Sequence, residues 1–219
     1  MNRKPGAHEI MEMHEVLRTA VDGINQFQLY RPHVRDQQLL NILDHQLHHM
    51  TYEYNHMVSF LANQGIANPA AQRMMPQTNQ MNQPNSMNQP NSVNQINAMV
   101  HEAHLTNQAP TYGLHNPAPD SPNQSIQAMD DRDVASGMLG CHKASAKMRM
   151  NAALEFADPM LRRMVMQGAN ACAEQAYEVF HYMNQKGYYQ VPTMHEHTAQ
   201  TLISTYQPVS DVNMGQTFQ

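Results

Sequence analysis

Two Glu-x-x-His motifs occur in the chain, Glu53-Tyr-Asn-His56 and Glu178-Val-Phe-His181. On a helix the first and fourth residues of such a motif are neighbours. Helical bundles that hold two iron or manganese ions carry this motif on two helices and a single Glu on each of the other two. Counting back across the expected helical turns puts Glu15 level with Glu53, and Asp133 close to the level of Glu178. The six residues Glu15, Glu53, His56, Asp133, Glu178 and His181 are therefore the candidate metal ligands. The chemistry they would support is redox or peroxide handling at a dinuclear iron or manganese centre.

Helical wheels weigh against that reading. At about 100° per residue, the apolar stripe Leu40, Leu43, Leu47, Met50, Tyr54 and Leu61 centres about 90° from Glu53 and about 150° from His56. The matching stripe of the last long helix centres about 105° from Glu178 and about 165° from His181. Glu15 lies nearly opposite its own stripe, and Asp133 about 115° from its stripe. Ligands of a metal in the bundle core must point inward, so the alternative is that these residues are solvated or lie at an interface.

Three further sets of residues carry chemical interest. His45, His49 and His56 fall close together on one helix face beside Tyr52; a His pair four apart can chelate a divalent cation, and such a ladder gains charge below about pH 6.5. The alternative is a hydrated polar face. Cys141 and Cys172 should lie at one level of an antiparallel hairpin, as a conditional disulfide or as two buried small apolar residues. His142 adjoins Cys141, but neighbours in sequence do not face each other on a helix, so no Cys–His nucleophile is expected. Finally, Gln-rich tails and Tyr188-Tyr189 would suit Gln–Lys or Tyr–Tyr cross-links. No Gly-x-Gly-x-x-Gly, P-loop, Gly-x-Ser-x-Gly or His-Glu-x-x-His motif is present.

The elements that must position these residues are four long helices. Ile10, Met13, Leu17, Ala20, Ile24 and Phe27 step by three and four, one face of a first helix. Arg31-Pro32-His33 interrupts it, and Asp36 is placed to cap the next helix, which Gly65 would stop. Asp130 or Asp131 caps a third helix with the stripe Val134, Met138, Cys141, Ser145, Met148, Ala152 and Phe156. Asp158-Pro159 restarts the chain, an N-cap followed by a Pro where its missing N–H costs nothing. Leu161, Val165, Gly168, Cys172, Ala176, Val179 and Met183 follow, and Gly187 ends the helix. These spans give a first hairpin over 7–65 and a second over 129–190. Between them, residues 67–128 hold 8 of the 13 Pro and the repeats Met81-Asn-Gln-Pro-Asn-Ser86 and Met87-Asn-Gln-Pro-Asn-Ser92. That segment is expected to be a flexible linker, with one short helix between Ile96 and Thr106. Residues 191–219 are expected to be a polar tail. Two hairpins and a connection long enough to run their length make an all-α four-helix bundle.

Composition narrows the function. The chain has 18 acidic residues against 13 Lys and Arg, a formal net charge of -5, which argues against nucleic-acid binding. No apolar run reaches the ~18 residues of a membrane span. No apolar stretch follows the first six residues, so no secretory signal is expected. Two Cys build neither a disulfide scaffold nor a four-Cys zinc site. The 20 Met, 20 Asn and 23 Gln suit a protein of many weak contacts better than an enzyme.

The second hairpin resembles the spore coat protein F family of endospore-forming bacteria. The resemblance is carried by Asp131-Arg-Asp133, Lys143, Ala153-Leu-Glu155, Asp158-Pro-Met-Leu-Arg162 and the ending His181-Tyr-Met-Asn-Gln-Lys-Gly-Tyr-Tyr189, about 60 residues in all. It implies a ferritin-like fold and a place in the spore coat, with no enzymatic role to carry over. The expectation is a non-catalytic structural or assembly component without a cofactor. It would be made in the mother-cell cytoplasm and would contact other coat proteins, with a homo-oligomer as a further form. The competing class is the dinuclear iron or manganese protein set out above.

Overall fold

The structure is a computed structural model and describes residues 6–63 and 109–209. Four long helices dominate it: α1 Ala7–Tyr30, α2 Gln37–Asn63, α3 Asp131–Glu155 and α4 Pro159–Gln185, with a short α5 at Glu196–Ile203. None of the described helices is long and apolar enough to cross a membrane.

The expected punctuation acts where helix termini need partners for their free amides and carbonyls. A single 3-10 turn, Arg31–His33, separates α1 from α2 at Pro32. Asp36 Oδ1 accepts from the amides of Gln38 (2.8 Å) and Leu39 (3.2 Å) and so caps α2. Asp130 caps α3 through the amides of Arg132 and Asp133, and Asp133 Oδ2 accepts from the Asp130 amide in return. Asp158 caps α4 through Met160 and Leu161, with Pro159 as its first residue. Gly187 adopts a left-handed φ of 74° just past α4, a conformation without penalty only for glycine. Gly65, the hexapeptide repeats and the expected helix at 96–106 lie outside the described residues.

Each helix packs mainly on two neighbours, in the ring order α1, α2, α4, α3, and α2 also touches α3 across the middle of the bundle. Two apolar clusters mark the ends of the bundle. One joins late α1 (Phe27), early α2 (Leu39, Leu43, Leu47), early α3 (Val134, Met138) and late α4 (Val179, Met183). The other joins early α1 (Met13, Val16), late α2 (Met57, Leu61), late α3 (Ala152, Phe156) and early α4 (Leu161, Val165). Every pair of ring neighbours is thus antiparallel, while α2 and α3 run in the same direction. The chain leaves α2 at one end of the bundle and must return to start α3 at the other.

That return is partly visible. Residues 109–128 belong to the expected flexible linker, yet their first part is tied to the end of α4. Thr111 donates its amide to Asn184 Oδ1 (2.7 Å), and Asn184 Nδ2 donates back to the Thr111 carbonyl (3.0 Å). The Gly113 amide reaches the Val191 carbonyl at 2.8 Å, and Tyr112 pairs with Val191 in a single parallel bridge. The physical reason is Asn184, a carboxamide beyond the apolar stripe that presents donor and acceptor to an extended strand. The expected polar tail likewise contains α5, which has no buried residue.

The buried faces differ from the apolar stripes at particular positions. Leu39 is fully buried where the stripe had Leu40, Val16 is fully buried where it had Leu17, and Ile10 is 39% exposed. The buried set also contains Glu9, Gln46, His142, Arg149 and Gln175, which no apolar pattern selects. Adding them turns the inward face of each helix toward its polar members.

Candidate functional site

The buried polar residues form a layer at mid-height, between the two apolar clusters. On α2, Gln46 and Glu53 lie between Leu43 and Met57. On α3, His142 and Arg149 lie between Leu139 and Ala152. On α4, Gly168 and Gln175 lie between Val165 and Val179. A buried polar group without a partner costs about 1–3 kcal/mol. Most of this layer is paired, while His49 Nδ1, Arg149 Nε and Gln175 Nε2 make no hydrogen bond among the described residues.

Gln46 is fully buried and bonds to two helices. Its Nε2 donates to Glu178 Oε2 at 2.8 Å and to the Gln175 carbonyl at 3.2 Å. Its Oε1 lies 2.9 Å from His142 Nε2. An amide oxygen only accepts, so His142 Nε2 carries the proton in this contact. Burial, then the nearby Arg149 charge and His49, push the His142 pKa down to about 3. The Phe27 ring meets the imidazole edge-on at 5.3 Å.

Arg149 pairs with Glu53 through Nη1, with side chains 6% and 17% exposed. Burial opposes the guanidinium charge, but Glu53 holds the Arg149 pKa above its ordinary value. Gly168 makes room for the pair: a Cβ there would overlap both the Arg149 guanidinium and the Glu53 carboxylate. His49, on the same face of α2, has its pKa lowered, first by burial and against the opposing pull of Glu53.

The candidate ligands do not converge. Glu53 and Glu178 turn further inward than the apolar wheel placed them. They meet Arg149 and Gln46 respectively, and Glu53 is claimed by a guanidinium, a group that repels a cation. Glu15 and His56 are exposed, and His56 stacks on Tyr52 with centroids 6.4 Å apart. His181 is half-buried against the edge of Tyr177 (4.6 Å). Asp133 belongs to the cap of α3 and accepts from Asn123 Nδ2 at 2.5 Å. Among the described residues, no group of three or more His, Cys, Asp or Glu is placed to hold a metal ion. This donor set does not fit a dinuclear centre.

The other candidates are also placed. His45 is exposed and His49 half-buried. Cys141 and Cys172 are free thiols, the first half-buried and the second buried. Burial raises both, Cys172 to about 11, so neither is poised as a thiolate. Lys143 lies over the Tyr189 ring at 5.2 Å, beside the edge-on pair Phe180 and Tyr189.

Polar contacts also join the two hairpins at both ends of the bundle. Glu9, 5% exposed, accepts from its own helix start at Gly6 (2.6 Å) and from the Asp158 amide in the α3–α4 turn (2.6 Å). At the opposite end, Asp131 Oδ1 accepts from the Arg35 amide at 2.7 Å. Lys186 Nζ donates to Asp36 Oδ2 at 2.6 Å, and that bond is the first cause holding Asp36 below the usual carboxylate range.

Sequence patterns pointed to Glu53 and Glu178 but missed Gln46, His142, Arg149 and Glu9. The available signal was a pair of polar residues seven apart beside the apolar stripe of each of two helices, Gln46 with Glu53 and His142 with Arg149.

The family model for the Coat F domain matches residues 130–192, the span of α3, α4 and the turn that follows. Over 204 residues the chain is 31% identical to the spore coat protein F-like protein YhcQ of Bacillus subtilis (strain 168). That alignment covers 93% of this chain and 81% of the relative. No solved structure matches. The relative aligns across both hairpins and not only the second, and on that likeness the chain belongs to the spore coat protein F family.

Proposed function

We propose that the chain is a non-catalytic structural or assembly component of the bacterial spore coat, made in the mother-cell cytoplasm and acting through contacts with other coat proteins. The observation that carries this reading is how the interior polar groups are used. Glu53 is matched by Arg149, and Gln46 links His142 to Glu178, so the layer ties helices together. A catalytic site needs groups aimed at a substrate position, with pKa values near the working pH. Here the thiols are raised by burial and His142 is held neutral. Family membership and the name of the relative support the coat as the place of action. The single long connection between α2 and α3, with antiparallel neighbours throughout, supports a ferritin-like arrangement of the helices.

Spore fractionation tests the proposal. A tagged chain expressed from its own promoter should appear in the coat extract, and its deletion should change the extractable coat protein pattern. Recovery only from the vegetative cytosol would reject it. Metal analysis of the purified chain gives a separate check: about two iron or manganese ions per chain would replace the structural reading with the metalloprotein one.

A further inference from the structure

The polar contacts that key the bundle cross from one hairpin to the other: Glu53 to Arg149, Gln46 to His142, Asp36 to Lys186, and Glu9 to the α3–α4 turn. They sit at mid-height and at both ends, so the inner face of α3–α4 specifies one complementary surface, the inner face of α1–α2. Any copy of the chain carries that surface. The covalent tie between the halves is the 45 residues 64–108. Its ends stand at opposite ends of the bundle: Leu61 packs in the cluster with Leu161, while Thr111 is bonded to Asn184. The span between them is about 40 Å, the length of a 27-residue helix. A chain of 45 residues reaches up to about 150 Å, so the tie permits the two halves to meet within one copy without enforcing it. Covalent linkage makes the pairing within one copy intramolecular, at an effective concentration that linker length sets and that reaches about millimolar at most.

We propose that this surface also takes the α1–α2 hairpin of a second copy, so that copies exchange hairpins once their own concentration approaches that of the tether. Reciprocal exchange between two copies closes a dimer, whereas sequential exchange propagates a chain. Each exchanged unit contains the same Glu53–Arg149 and Asp36–Lys186 contacts as the single chain. The coat reading supplies only the setting where such concentrations arise. Exchange itself is a property of the purified chain, so its failure would leave the coat reading standing, and the reverse holds too.

The test uses the full wild-type chain in ordinary and nitrogen-15 forms, mixed one to one in denaturant and refolded from micromolar to about millimolar concentration. A carbodiimide joins Lys186 Nζ to the Asp36 carboxylate as an amide, with loss of water taken up by the reagent. Exchange predicts a fraction of twice the 24.9 kDa chain mass, in which about half of the Asp36–Lys186 peptides pair one isotope with the other. Peptides of single isotope only, at every concentration, would overturn the proposal. A second arm mixes Glu53→Arg with Arg149→Glu. Each chain alone buries two like charges, whereas an exchanged pair restores an Arg–Glu contact in both halves. The mixed dimer should form in clear preference to either variant's own dimer. A mixture that stays monomeric, or dimers without that preference, count against exchange.

Discussion

The two hairpins are built differently. In the second, α3 and α4 approach each other more closely than any other pair of helices. Small residues allow it: Ala135, Ser145, Ala152 and Ala153 on α3 face a helix that buries Gly168, Ala169, Cys172 and Ala176. Only Phe156, Ala157 and Asp158 separate the two helices. The first hairpin fills its inner face with larger groups, Val16, Phe27, Leu39, Leu43, Leu47 and Met57, and turns through Pro32. Close backbones give α3–α4 a rigid frame, and bulky side chains give α1–α2 the volume that fills it. The polar layer is then a device for register, since a buried charged pair contributes little net stability while its loss is costly. The Coat F domain match stops at the frame, and the alignment with the relative takes in the filler as well.

The largest test of that comparison removes one half of the key. Arg149→Met leaves the Glu53 carboxylate buried without its cation. It should cost about 3–5 kcal/mol in urea unfolding followed by helical circular dichroism. The double variant Arg149→Met with Glu53→Gln should recover most of the loss, because neither partner is then charged. If the single variant costs under about 1 kcal/mol, the Glu53–Arg149 pair is not part of what keys the two hairpins together.

Acid provides the next largest effect. His142 titrates near 6.5 when unfolded and at about 3 when folded. Between those values the unfolded chain binds a proton that the folded chain does not. Stability from this group is therefore complete above about pH 6.5 and falls as pH drops, by up to about 1.4 kcal/mol per unit. The lowered His49 works in the same direction. The variant His142→Gln should flatten the slope between pH 6.5 and 4.5 by about one proton. An unchanged slope would mean that the imidazole is solvated in the folded chain.

Much of this architecture was legible in the sequence. The four helices, their caps at Asp36, Asp130 and Asp158, and the stop at Gly187 follow from local chemistry that no tertiary contact overrides. The polar layer was not legible, because apolar periodicity discards the residues that form it. Leaving out Gln46 and taking Leu40 in place of Leu39 rotated the wheel of α2 away from Glu53. Leaving out His142 and Arg149 hid the second side of the layer. The docking of Thr111 on Asn184 was equally hidden, since it joins residues 73 positions apart through a single carboxamide.

Two glycines give the smaller tests, one in each direction. At Gly168 an alanine Cβ would overlap Arg149 and Glu53, so Gly168→Ala should cost about 1–3 kcal/mol despite its better helix propensity. In an Arg149→Ala background the obstruction shrinks, and the same change should cost less. At Gly140, in the middle of α3, an added Cβ meets nothing within 4 Å and the position is exposed. Gly140→Ala should therefore stabilise the chain by about 0.5–1 kcal/mol, the ordinary propensity difference in a helix interior. Both variants are measured by the same urea unfolding. Opposite signs at these two positions would place the constraint on α3–α4 in its inner face alone. A loss at Gly140 as well would mean that its outer face is also covered in solution, and the contrast between a rigid frame and a docked filler would need a second partner surface.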